Sequence, residues 1–365
     1  MIDLDEASLR SLVLGGAVLG GGGGGSIEAG LEGGRRALAR GQPKLAELSE
    51  VEGDEPLVTL SRMGSTSGDR SPGGMQIQEI RALRLFVRSG ENRIGGFLAS
   101  EVGPLAVTYG WYLSAMTGIP VVDAPCNGRA HPLGTMGSLG LDRFPRHVTT
   151  TAAVGGPGRG GRSVELVLRA NARQASGIVR SAVEKAGVPV AVVRNPLPVS
   201  YVLRHAAVGA LGFARMVGQL MERHRDAGIN AVLEHLSSTM RGEAIISDGL
   251  VRSVELREKG GFTVGRIAIR SETGTRIVIP VCNEFMAAFS GEEPLALFPD
   301  LISIFDYESA LPLGSAQVRE SGRVAVFFVP RAHLPLASAM RDKTLLRPVE
   351  RLLGIRLSHP AISVR

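Results

Sequence analysis

The chain has 365 residues, 44% of them hydrophobic and 21% charged, which is ordinary globular usage and enough for two domains with sizeable cores. Aromatic residues make up only 4%, and the net charge of +6 comes from arginines scattered along the chain, among them Arg35, Arg36, Arg159, Arg162, Arg204 and Arg351. With neither a stacking platform nor a dense basic run, the composition argues against a nucleic-acid partner, and the apolar stretch Leu12 to Leu19 is too short and glycine-rich to span a bilayer. Cys126 and Cys282 stand far apart and outside any disulfide framework, and no cleavable leader pattern opens the chain. A cytoplasmic, homo-oligomeric protein with no membrane contact is the expectation.

In chain order, Asp5 to Leu19 carries Leu9, Leu12 and Val13 near helical spacing and runs into six glycines, Gly20 to Gly25, ending at Ser26. Six glycines raise the entropic cost of folding. One reason to keep them is close approach of backbone N–H groups to an anion, an oxyanion or a carbonyl; a flexible loop or tight helix packing is the other. Leu57 to Leu60 reads as a short buried strand. Met75 to Arg88 is a helix with Ile77, Ile80, Leu83 and Val87 on one face, stopped near Gly90. Phe97 to Ser100 reads as a strand, Leu105 to Thr117 as a helix and Ile119 to Asp123 as a strand, the β–α–β rhythm of a parallel sheet.

The Gly/Pro/Arg-rich stretch Gly155 to Arg162 reads as a separator. After it, Val164 to Leu168 is a strand, Ala175 to Ala186 a helix, Val188 to Val193 a strand and Ala206 to Arg225 one long helix. From Glu243 the pattern turns to strands at Val251 to Leu256, Phe262 to Ile269, Thr275 to Val281 and Val324 to Val329. The expected fold is an α/β N-terminal domain with a mainly parallel sheet, residues 1–165. A mainly β C-terminal domain follows, residues 166–365, helical to about 240 and β-rich thereafter.

Two strand ends carry the sharpest chemistry. Glu101 follows Phe97 to Ser100 and Asp123 closes Ile119 to Val122, so parallel neighbours bring both carboxylates to the carboxyl edge of one sheet, where open α/β folds bind ligands. The loop after Asp123 adds Cys126, Asn127, Arg129 and His131. Glu101, Asp123, Cys126 and His131 include every ligand type zinc prefers, without a standard zinc spacing. Asp123, Cys126 and His131 are the candidate metal ligands. The competing readings are a buried thiol for Cys126, a loop-packing imidazole for His131 and an Arg129 to Asp123 salt bridge. Gly22, Gly23, Gly24, Gly25, Ser26, Ser65, Arg129, Asn283 and Glu284 are candidate substrate contacts. Ser65 sits in a G-S-T-S-G pattern out of register for a nucleophile elbow, and the glycine run lacks the Walker and Rossmann settings of a nucleotide loop.

At these residues the chain resembles the S-methyl thiohydantoin desulfurase family, a domain associated with hydantoinase and oxoprolinase genes. The matching blocks are Leu19-Gly20 with the glycine run, Met63-Gly64, Glu101-Val102-Gly103, Pro120 to Asp123, Gly128-Arg129-Ala130, Asn283-Glu284 and Pro299 to Ile302. The resemblance implies an α/β domain followed by a β domain and hydrolytic removal of a sulfur substituent from a (thio)hydantoin ring. Glu101 or Asp123 would be base or metal ligand, and Cys126 a nucleophile where no metal is held. After Glu101 the family usually has Gly-Gly and then Asn; this chain has Val102-Gly103-Pro104. After Ala130 it usually has an aromatic, Pro and Glu; here stand His131-Pro132-Leu133, either losing a carboxylate or giving its role to His131. The expectation is a hydrolase of a cyclic amide, imide or (thio)hydantoin-like small molecule in an interdomain cleft, assisted by zinc or another divalent metal. The alternative is a non-catalytic ligand-binding or partner subunit of a hydantoinase or oxoprolinase complex.

Overall fold

The computed structural model describes residues 1–51, 53–64, 75–90, 93–157 and 161–358. After strand β1 (Ile2–Asp3), Asp5 caps helix α1 (Glu6–Gly20) by accepting the Ser8 amide, and Gly21 closes it in the left-handed conformation. The rest of the glycine run is a tight connection, because Ser26 accepts the Ala29 amide and starts α2 (Ile27–Arg40). Then come β2 (Lys44–Ala46), β3 (Leu57–Met63), α3 (Gln76–Arg88), β4 (Gly96–Ala99), α4 (Trp111–Thr117) and β5 (Val121–Val122). The N-terminal half ends with β6 (Thr149–Gly155), β7 (Val164–Ala170), α5 (Ala172–Ala186) and β8 (Val190–Leu197).

These strands form one mixed sheet in the order β1-β2-β5-β4-β3-β8-β6-β7. Its centre, β2-β5-β4-β3, is parallel, in keeping with the β–α–β rhythm, while β1 and the group β8-β6-β7 pair antiparallel at the flanks. The strands on either side of the Gly155 to Arg162 stretch pair directly, with Gly155 opposite Val164, so the sheet runs on past residue 165.

Three helical segments differ from the periodicity. Helix α3 buries Gln78, Glu79, Ala82 and Phe86 and leaves Ile77 47% exposed. Polar pairing decides the face: Arg62 makes a buried ion pair with Glu79, 2.8 Å, and the Gln78 amide donates to the Gly156 carbonyl. The segment Leu105 to Thr117 is broken at Gly110, φ 87°, into a 3-10 turn at Ala106–Thr108 and α4. The helix expected over Ala206 to Arg225 begins only after Gly209, φ 79°, as α7 (Ala210–His224), and a separate short helix, α6 (Val199–His205), precedes it.

Helix α8 (Ile229–Met240) leads to the C-terminal half: β9 (Glu243–Lys259), β10 (Phe262–Ser271), β11 (Arg276–Cys282), β12 (Glu284–Phe285), β13 (Ala287–Ser290), β14 (Glu293–Leu297), β15 (Leu301–Asp306), β16 (Pro312–Leu313) and β17 (Arg323–Val329). They make a nine-stranded sheet ordered β14-β13-β11-β10-β9-β17-β15-β16, with β12 on β11, and every pairing is antiparallel. The short helix α9 (Arg347–Leu353) packs near β11.

The largest core joins the halves, running from Leu9 and Val13 of α1 through Ala214 and Val217 of α7 to Phe305 and Phe327 of the second sheet. α1 and α7 touch backbone to backbone: a Cβ on Gly15 would fall 1.7 Å from the Ala214 oxygen, and one on Gly218 1.7 Å from that of Ser11. This contact pins the end of α1, and with it the glycine run, against the second sheet. No described helix is long and apolar enough to cross a membrane.

Candidate active site

Glu101 stands two residues beyond β4, whose neighbour Ser100 is tied to β3 by a 3.0 Å bond from its amide to the Leu60 carbonyl. One Glu101 oxygen, Oε2, accepts the backbone N–H of His131 at 3.2 Å and lies 3.7 Å from His131 Nδ1. His131 Nε2 is 3.3 Å from the Ser100 carbonyl, an acceptor only, so the ring proton is assigned to Nε2 and Nδ1 faces Glu101 as an acceptor. Burial pushes His131 down to about 4, so near neutral pH this contact joins a carboxyl to a neutral imidazole and is no ion pair. Burial raises Glu101 to about 7, against the opposing pull of the His131 amide and the Arg194 charge.

Glu284 arrives from the other sheet. Asn283 turns the chain from β11 into β12 in the left-handed conformation, φ 59°, which Asn tolerates better than most residues. Three bonds lock it: its amide donates to the Thr263 carbonyl, 2.8 Å, its Oδ1 accepts the Thr263 amide, 2.9 Å, and its carbonyl accepts Ser315 Oγ, 2.5 Å. Glu284 is 3% exposed, and its Oε2 has no protein partner. Burial, and after it the negative charge of Glu101, pushes its pKa well above the usual carboxylate range. Of the two carboxyls, Glu101 is raised to about 7 and Glu284 well above the usual carboxylate range.

The glycine run is the wall beside Glu284. A Cβ on Gly23 would fall 2.1 Å from Glu284 Oε1, and one on Gly24 2.6 Å from Gly103 Cα. Carbonyls of the run stitch the halves together: Gly21 accepts Phe285 N–H at 2.8 Å, Gly22 accepts Ser315 N–H at 2.8 Å and Gly24 accepts Leu105 N–H at 3.0 Å. Among the described residues the N–H groups of Gly22, Gly24 and Gly25 donate to no protein acceptor. A cavity of about 810 Å³ opens in front of them, lined by Gly22 to Gly25, Ser26, Glu101, His131, Arg194, Asn283 and Glu284. It combines two carboxyls of raised pKa with backbone donors that have no protein acceptor, a set suited to moving protons on a polar ring.

Family models of the S-Me-THD-like N-terminal domain and the S-Me-THD-like C-terminal domain match residues 7–160 and 170–337. The chain belongs to the S-methyl thiohydantoin desulfurase family. A crystal structure of a protein from Chromobacterium violaceum superposes with a TM-score of 0.72 at 19% identity, over 100% of this chain and 99% of that one, and shows the shared fold. Comparison with curated proteins gave no match.

The desulfurase-family blocks divide by what they touch. Glu101, Asn283, Glu284 and the glycine run reach the cavity, and Ser26 both caps α2 and lines it. Arg129 does not line it. It is fully buried beneath, with Nη1 donating to the Pro299 and Asp300 carbonyls and its guanidinium 4.5 Å from the Phe298 ring, a tie between the halves. Leu133 packs into the core around Phe298 and Leu346, and the second cavity carboxyl is Glu284. Ser65 lies outside the described residues.

Asp123 emerges at the same sheet edge as Glu101 but turns away. Its Oδ1 accepts the Leu211 amide at 2.7 Å and its Oδ2 the Gly212 amide at 2.8 Å, capping α7. Cys126 is buried against Thr59 Oγ1 at 3.3 Å, and burial pushes its thiol up to about 11. Neither lines the cavity, and Asp123, Cys126 and His131 do not converge. Among the described residues no group of three or more His, Cys, Asp or Glu is placed to hold a metal ion, so these residues do not fit the expected metal.

Arg194 was missed by the sequence reading. It is 6% exposed, donates from Nη2 to the Gly134 carbonyl at 3.2 Å, leaves Nε without a partner and lowers the Glu101 pKa. A charge directly after the apolar run Val190 to Val193 is the signal that pointed to it.

Proposed function

We propose that the chain is a hydrolase of a cyclic amide, imide or (thio)hydantoin-like small molecule, with Glu101 as general base and Glu284 as general acid. The observation that carries this reading is that two buried carboxyls from different sheets, Glu101 raised to about 7 and Glu284 raised well above the carboxylate range, front one cavity walled by the glycine run. Membership of the desulfurase family supports an S-methyl thiohydantoin as the substrate to try first.

For such a ring, water adds to the carbon bearing sulfur as ionised Glu101 takes one of its protons. Protonated Glu284 donates to the ring nitrogen whose negative charge grows, and the free N–H groups of Gly22, Gly24 and Gly25 hold a ring oxygen. The C–S bond then breaks. Glu101 passes the proton it took to the departing methanethiolate, the remaining hydroxyl proton returns to Glu284, and the water oxygen becomes the new carbonyl. His131, neutral and hydrogen-bonded through its amide to Glu101, keeps the base aimed.

The test is to incubate purified protein with S-methyl thiohydantoins, hydantoins and lactams while following thiol release and ring opening. Turnover of at least one class is expected, lost in Glu101→Gln with the fold retained by circular dichroism. No turnover of any of them would sink the reading.

A further inference from the structure

A second large cavity, about 930 Å³, lies between α5, the loop after His131 and the segment carrying α9. Arg173, Arg180, Arg347, Arg351 and Arg356 line it, with Glu350 the one carboxylate among the described lining residues. That carboxylate is already engaged: its Oε1 accepts the amides of Leu357 at 2.8 Å and Ser358 at 2.9 Å. Among the described residues Arg347, Arg351 and Arg356 are in no ion pair, and Arg173 comes no closer than 3.9 Å to Asp142. Arg180 rests on the Phe262 ring at 4.3 Å with its guanidinium in the wall.

Five guanidiniums around one concave space repel one another, and a cavity walled by one sign of charge concentrates the opposite ion. Guanidinium forks match phosphate and carboxylate oxygens two at a time. Among the described residues no aromatic side chain lines the cavity, so they offer a nucleobase no platform and the anionic groups themselves are what they recognise. We propose that this cavity binds a compact small-molecule polyanion of the diphosphate or tricarboxylate type. The site is separate from the hydrolytic carboxyls, although the two cavities share Gly134 and Arg180 in their walls.

Calorimetry with sodium pyrophosphate, and separately with citrate, at constant ionic strength tests it. Saturable binding of one anion per chain is expected, and the stronger of the two identifies phosphoryl or carboxylate chemistry. Arg351→Ala and Arg347→Ala, both at exposed positions, should each weaken it roughly tenfold through loss of a charge-assisted contact. Arg351→Glu should abolish it, and Arg252→Ala, an exposed arginine of β9, should leave it unchanged. No saturable binding of either anion overturns the proposal. So does equal weakening by Arg252→Ala, which means diffuse charge, or weakening by Glu101→Gln and not by Arg351→Ala, which means the anion sits in the first cavity.

Discussion

Glu101, beyond a strand of the first sheet, and Glu284, the first residue of β12 in the second, front one cavity, and the charge of Glu101 raises the pKa of Glu284. Neither sheet alone makes this pair.

The pair sets the pH dependence of activity. With Glu101 raised to about 7 and required as its anion, kcat/KM for the proposed hydrolysis should rise with pH to a plateau above about 7. Arg194 lowers this pKa, so Arg194→Met should move the midpoint to higher pH. A pH–rate profile with a midpoint near the ordinary 4.5 would remove Glu101 from the role of base.

Stability should run the other way. Both carboxyls have folded-state pKa values raised above the unfolded value, so the folded chain binds more protons. The stability they contribute is present below about 4.5 and is lost as pH rises through about 7 for Glu101. Urea unfolding at pH 5 and pH 8 should show a loss on the order of 2 kcal/mol that Glu101→Gln reduces. Equal loss in the variant would place the pH dependence elsewhere.

Gly23 packs directly against Glu284. A methyl group there meets Oε1 at 2.1 Å, so Gly23→Ala should cost about 1–3 kcal/mol and lower turnover by displacing the acid. In a Glu284→Ala background the same change should cost much less, a coupling measurable by a double-mutant cycle. Additive costs would mean that the clash is relieved by some other movement.

Asp123 should behave as a cap. Asp123→Ala strips two first-turn amides of α7 of their acceptor and should destabilise the chain by about 1–2 kcal/mol with kcat of the folded protein intact. A fall in kcat with normal stability would return Asp123 to the chemistry.

Cys126 and Cys282 are buried thiols pushed up to about 11 and about 12, so iodoacetamide at pH 8 should label neither until the chain is unfolded. Native labelling of Cys126 would reopen it as a nucleophile.

By itself the sequence determined the two-part architecture, because period-2 and period-3.6 patterns and turn residues are local properties of the chain. It also determined that Glu101 and Asp123 both leave strands at one sheet edge, since a parallel β–α–β unit permits little else. Only the tertiary structure decided which of them meets the cavity: α7 presents unpaired amides to Asp123, while the His131 loop folds over Glu101. The buried face of α3 was hidden for a similar reason, since Arg62 supplied a distant partner that made burying Glu79 favourable and left Ile77 outside. The glycine run could be seen to need a close neighbour. That the neighbour is Glu284, far along the chain, follows from the contact of α1 with α7 and the second sheet, and packing of that range leaves no trace in local periodicity.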